Sequence, residues 1–333
     1  MEGQYSEIRG LSPYFPISGD EELDGLAAGI EVDVAHFDEE LGRFRVHVFL
    51  QSGTIALTFR HIPDRVPSFT ELGLPPSVRQ LAEESRGLVL VTGPTGSGKT
   101  TTLASMIDHI NRTRECHVVT IEDPIEFVHR GELAEVSQRE VGIDTKDFPS
   151  AMRSAMRQDP DVILVGEMRD AETVAAAIHA AETGHLVLST LHTTDVTETV
   201  SRIVDFFPPH QQHQVRVSLA SSLRGVIGQR LVPMAHVRGR VPALEVLIAN
   251  GRVQQCILDP ERQRDLAEIL AAGDFYGMTT FDQSLARLVA RRMIEMDTAI
   301  RAASSPHDLK LLLHRLEAEA DEEATRVAAL QAS

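Results

Sequence analysis

The sequence predicts an α/β protein with a small sheet domain in front of its core and a helical region behind it. Three observations carry that expectation. From Gly87 onward, short continuous apolar runs alternate with segments of helical spacing, the pattern of a parallel sheet covered by helices. One of those runs ends in a glycine-rich loop that opens a helix. Before about Arg65 the pattern is instead the period-two alternation of half-buried strands.

Taken in order, Phe44, Val46 and Val48 alternate with Arg45, His47 and Phe49, and Thr54 to Phe59 reads as a second strand. The expected domains are therefore 1–66, a sheet domain; 67–76, a linker marked by Pro67 and Pro75-Pro76; 77–240, the alternating core; and 241–333, a helical region. Within the core, Leu88–Val91, Val118–Ile121, Val162–Val165 and Leu186–Leu188 are apolar runs suited to strands buried on both faces. Leu103, Met106, Ile107 and Ile110 share one helical face. Asp170 to Thr183 reads as another helix, with Val174, Ile178 and Ala181 inward and Gly184 as its stop. Beyond Arg240 the pattern becomes helical. Thr280 to Gln283 has the form of a capping box, Ser305-Pro306 of a helix start. The Ala- and Glu-rich end, from Leu316, reads as either a frayed helix or a disordered tail.

Composition narrows the functions. A chain of 333 residues suits about two domains. No apolar run approaches the roughly 20 residues that span a bilayer, and the N-terminus shows no secretory pattern, so the expectation is a cytoplasmic protein without a transmembrane segment. Cys116 and Cys256 are far apart and form no CxxC pair, which argues against a disulfide framework or a cysteine zinc site. The formal net charge is −17, which repels nucleic acid in the absence of a basic run; no nucleic-acid partner is expected. Residues 1–50 hold eleven acids against three arginines, interleaved with apolar positions as on a solvated face.

The motif with the most chemistry is Gly93-Pro94-Thr95-Gly96-Ser97-Gly98-Lys99-Thr100, followed by Thr101. It matches GxxxxGK[ST] and sits between a predicted strand and a predicted helix, the context a P-loop requires. Glycines let successive backbone N–H groups turn toward phosphate oxygens, and the helix N-terminus adds its positive dipole end. Lys99 supplies a charge for the β- and γ-phosphates of ATP, and the Thr100 hydroxyl a ligand for Mg²⁺. Two further strands end in carboxylates, where ligands of parallel sheets sit. One runs into Gly166-Glu167, with Glu167 placed to polarise an attacking water and glycine where an Asp usually reaches the metal. The other runs into Glu122-Asp123-Pro124-Ile125-Glu126. Glu122 and Asp123 read equally well as caps of a following helix.

These residues resemble a known family. Ile121–Phe127 looks like the Asp box of secretion and pilus ATPases, Ile163–Asp170 like their atypical Walker B with its glycine, and Gly184–Thr193 like their His box. The similarity spans roughly residues 30–300 and is strongest to type IV pilus retraction ATPases. It implies a RecA-like P-loop ATPase core behind a truncated, PAS-like α/β N-terminal domain, and a hexamer working at the inner membrane on a pilus platform protein. Pilus assembly and type II secretion ATPases are the alternative, but they usually carry a four-cysteine insertion that Val232–Arg240 lacks. The resemblance also implies that Glu126 and Glu167 are the catalytic acids, with Glu126 contributing to the metal. By the same route His192 and His185 sense the γ-phosphate, although His185 reads as readily as a structural strand-end histidine. Arg43, Arg45 and Arg60 match arginines that neutralise phosphate, although each alone also reads as a strand-surface residue. Three features depart from the family pattern. The N-terminal domain is about half the usual length, Arg252–Asp259 replaces a motif with two internal arginines, and the Glu/Ala-rich end extends past the usual terminus.

Overall fold

A computed structural model describes residues 31–52, 54–63, 65–316 and 318. The chain divides into two compact units: one of residues 1–66 with Glu126–Val128, the other of Pro67–Ile125 and His129–Ser333. The expected features of residues 1–30 and of the Glu/Ala-rich end lie outside the described residues.

The described part of the first unit is an antiparallel meander, β1 (Val32–Asp38), β2 (Gly42–Gln51) and β3 (Thr54–Ile62). The two expected strands are there, and β1 joins them on the far side of β2. Val46 and Val48 are buried and lie on the same face of β2 as Phe44. That ring meets Phe59 and His61 edge-on at 6.2 and 5.2 Å. The other face carries Arg43, Arg45 and His47, as period two requires.

The second unit is built on a seven-stranded sheet of order β10-β9-β4-β8-β7-β5-β6. Its first helices, α1 (Phe69–Leu72) and α2 (Pro76–Ala82), take up half of the expected linker. Ser68 and Glu71 form a capping box, and Phe69 is buried, so this stretch is ordered structure rather than spacer. Then follow β4 (Gly87–Thr92), α3 (Lys99–Thr113), β5 (His117–Glu122), β6 (Glu135–Glu140), α4 (Phe148–Ala155), β7 (Val162–Val165), α5 (Ala171–Glu182), β8 (Leu186–Leu191), α6 (Val196–Asp205), α7 (Pro209–Ser222), β9 (Leu223–Pro233) and β10 (Arg240–Ile248). All neighbours are parallel except β9 and β10. Strands β4, β7 and β8 are buried along their whole length. Leu88 and Leu90 enter the core on one face of the sheet, Val89 and Val91 that on the other.

The region expected to be helical from Arg240 begins instead with β10, a full partner of β9. Pro242 and Glu245 break its apolar pattern, which hides it from a periodicity reading. Helices follow: α8 (Gly251–Leu258), α9 (Leu266–Ala271), α10 (Phe281–Ala290), α11 (Met296–Ala302) and a last one over 306–316. The Thr280/Gln283 capping box is present. In α8, which holds the altered Arg252–Asp259 stretch, Val253, Cys256 and Ile257 are buried. A separate cluster of Val232, Phe281, Leu285 and Leu309 packs the last helices onto the β9–β10 hairpin. No helix of the described residues is long and apolar enough to cross a membrane.

Candidate active site

The loop Gly93–Gly98 joins the buried strand β4 to α3, so its backbone N–H groups and the α3 N-terminus face one space at the carboxyl edge of the sheet. Gly93 has φ 142°, and a Cβ there would lie 2.3 Å from the Gln229 carbonyl oxygen; only glycine lets the loop approach β9 this closely. Lys99 lies back over its own loop, donating to the carbonyls of Gly93 at 2.8 Å and Pro94 at 3.1 Å. A phosphate offers the ammonium a stronger, charged acceptor than those carbonyls. Two buried hydroxyls here, Thr92 Oγ1 and Ser97 Oγ, have no hydrogen-bond partner among the described residues, a cost that a polar ligand removes. Thr100 is half-buried at the first turn of α3, next to Lys99. Loop, lysine and hydroxyls therefore fit a nucleoside triphosphate with its metal.

The acid side is built by β7 and β8. Gly166 N–H donates to the Ile121 carbonyl at 2.8 Å, and a Cβ at Gly166 would stand 3.2 Å from that oxygen and 3.4 Å from Glu122 Cα. The Asp usual at this position would be crowded against the end of β5. Hydroxyls of the His box fix the turn that follows. Ser189 Oγ donates to Val165 O at 2.8 Å and Thr190 Oγ1 to Gly166 O at 2.7 Å, while Met168 N–H donates to Thr190 O. Glu167 emerges from this turn, forms an ion pair with Arg169 and lies beside His192, whose Nε2 is 3.4 Å from the carboxylate. Glu167 is largely shielded and His192 is about half exposed.

The structure sorts the other candidates. His185 stands one residue before β8, at the edge of the sheet opposite the P-loop, a strand length of about 20 Å away. Its Nδ1 lies 2.9 Å from the Ala180 carbonyl, at the C-terminus of α5. That placement keeps His185 away from the P-loop of its own chain and gives no support to the γ-phosphate role expected of it. No helix follows Glu122 and Asp123, so neither is a cap. Glu122 is buried and accepts from Thr120 Oγ1 at 2.7 Å and Gln138 Nε2 at 3.1 Å. Glu126 belongs to the N-terminal unit, not to the core with Glu167. In that unit Arg45 lies directly opposite Arg60, with Arg43 two residues along the same face. Arg45, His47, Thr58 and Arg60 line an open concavity of about 330 Å³.

Sequence reasoning missed Gln229 and Glu245. Gln229 reaches the P-loop from β9. Glu245, on β10, accepts from Val196 N–H at 2.8 Å and so pins the start of α6, just past the His box. Burial pushes its carboxyl up to about 7, and Asp195 adds to the rise against the pull of the Val196 N–H and of Arg230. Neither residue sits in a motif, and their partners are 132 and 49 positions away.

A P-loop at the carboxyl edge of a buried parallel sheet, with a glutamate at the same edge two strands away, defines a P-loop ATPase. The chain belongs to the type II/IV secretion system protein family, whose profile matches residues 55–303. It is 47% identical over 280 residues to a twitching motility protein of Neisseria gonorrhoeae, covering 84% of this chain and 75% of that one. It is 43% identical over 294 residues to the type IV pilus retraction ATPase PilT of Pseudomonas aeruginosa, covering 88% and 85%. Among solved structures, the pilus retraction motor PilT with bound ADP superposes with a TM-score of 0.82 at 45% identity, over 91% of this chain and 85% of that one.

Proposed function

We propose that this chain is the ATP-hydrolysing subunit of a type IV pilus retraction motor. The observation that carries the reading is likeness over nearly the whole chain to a retraction motor with bound ADP, supported by a P-loop and a glutamate, Glu167, at the same edge of the sheet. Lys99 and the loop N–H groups bind the β- and γ-phosphates. Thr100 would hold Mg²⁺, whose charge would offset that of the phosphates. Glu167 orients and polarises the water, and His192 holds the Glu167 carboxylate in place. Arg45 and Arg60, opposite each other on β2 and β3, form a fork suited to a phosphate between them.

The remaining parts of the proposal are a homohexamer, a peripheral position at the cytoplasmic face of the inner membrane, and a platform protein of the pilus machinery as partner. Supporting retraction over assembly or secretion, β9 and β10 are joined by the short turn Met234–Gly239, with no room for a cysteine-rich insertion. Deleting the gene tests this in cells. Retraction predicts surplus pili with loss of twitching; bare cells would mark an assembly ATPase instead.

A further inference from the structure

Gln229 sits on β9 one residue beyond Gly228, the register partner of the last residue of β4. Its side chain is buried, 3% exposed, yet it touches no substrate-facing acid and belongs to no motif. Both ends of its amide are used. Nε2 donates to the Ser97 carbonyl at 2.7 Å, and Oε1 accepts from the Thr102 hydroxyl at 2.7 Å. The amide can point only one way, because a carbonyl oxygen has to face the NH₂ group.

The bond to Ser97 has a geometric consequence. The C=O of Ser97 and the N–H of Gly98 belong to one planar trans peptide and point in opposite directions. Pulling the Ser97 carbonyl down onto Gln229 therefore turns the Gly98 N–H away from β9, up into the phosphate cradle. The second bond ties the same amide to Thr102, whose N–H donates to the Gly98 carbonyl at 3.0 Å. One side chain thus sets the peptide planes on both sides of Gly98 and holds them to the first turn of α3. The Gln229 backbone oxygen also fills the space beneath Gly93.

We propose that Gln229 is a positioning residue for ATP hydrolysis, presetting the P-loop by orienting the Ser97–Gly98 peptide. The next residue extends the consequence. Arg230 donates to the Ala302 carbonyl at 2.8 Å and to the Thr194 carbonyl at 3.4 Å, and stacks on Phe281 at 3.9 Å. A shift of the P-loop peptide therefore bears on the strand that anchors the C-terminal helices and the loop after His192.

The proposal rests on the ATPase reading and deepens it. The test measures ATP turnover by the full-length protein as a function of ATP concentration and pH, for wild type, Gln229→Glu and Gln229→Met. At pH 8 the carboxylate of Gln229→Glu has no proton to donate to Ser97, and KM should rise roughly tenfold or more, the scale of a lost buried hydrogen bond with its acceptor stranded. As pH falls toward 6, the buried acid protonates, and its O–H can serve Ser97 while the other oxygen serves Thr102. The KM of Gln229→Glu should then fall back toward wild type, whereas that of Gln229→Met stays high at every pH. A merely structural role predicts no such recovery. Thr102→Ser and Thr102→Val give an independent pair should the Gln229 variants fold poorly: serine should keep the wild-type KM and valine raise it several-fold. Wild-type KM for Gln229→Met or for Thr102→Val, or a Gln229→Glu defect that ignores pH, overturns the inference. A wild-type protein without turnover overturns the ATPase reading instead.

Discussion

The two sides of the site are held in different ways. The phosphate side is fixed from beneath: the loop rests on β9 through Gln229, Lys99 is buried, and the bonds involved are short and within the core. The acid side is fixed from behind but loose at its tip. Ser189 and Thr190 hold the turn at Gly166, while Glu167 itself is restrained by an ion pair to an exposed Arg169 and by a half-exposed His192 beside it. Exposed pairs contribute little and rearrange readily. The buried anchor of the acid side is Glu245, a carboxylate that titrates near neutrality. A rigid cradle opposite an adjustable acid suits an enzyme that binds nucleotide in every state and hydrolyses it in only some.

The largest effect should come from breaking the rigid side. Lys99→Ala removes the ammonium that two carbonyls now hold in reserve for phosphate, and ATP binding should weaken by more than about 100-fold, the scale of two charge-assisted hydrogen bonds. Equilibrium binding of labelled ATP reads it, and unchanged affinity would show that the two sides do not differ as described.

Next comes the anchor of the acid side. The folded-state pKa of Glu245 is raised from 4.5 to about 7, so between those values the folded protein holds a proton that the unfolded chain has lost. Stability therefore falls as pH rises from about 4.5 to 7 and is flat above, by up to roughly 3 kcal/mol. Gln keeps an oxygen for the Val196 N–H and cannot ionise. Unfolding measured at pH 5 and pH 8 should show Glu245→Gln gaining on wild type at pH 8 by that order; an equal pH dependence in both proteins would contradict it.

The smallest effects separate the two histidines at the ends of β8. His192→Ala frees Glu167 and should lower kcat roughly tenfold. His185→Ala should leave kcat within about twofold and cost at most about 1 kcal/mol of stability at the α5 terminus. Steady-state kinetics on both variants checks this, and a reversed ranking would refute the assignment of His185.

How much of this was legible in the sequence follows from where each signal resides. Strands β4, β5, β7 and β8 are continuous apolar runs, and the P-loop is a contiguous motif between two of its own elements, so local reading recovers them. Strand β6, Glu-Val-Ser-Gln-Arg-Glu, is a polar edge, and β9 carries Gly225, Gly228, Gln229 and Arg230 among its apolar residues; neither has a period to detect. His185 and His192 share one box in the sequence, and only the direction of β8 through the sheet tells that they sit at opposite edges. Gln229 was invisible because its meaning lies in Ser97 and Thr102, which the chain brings to it only after folding.

The most direct test of the central claim is Glu167→Gln in the full-length protein, with ATP binding and ATP turnover measured on the same preparation. The amide keeps the size of the side chain and the P-loop untouched, but cannot polarise water. The account predicts ATP affinity close to wild type with turnover lower by about 10²–10⁴-fold. Wild-type turnover, or a loss of binding equal to the loss of rate, would contradict it.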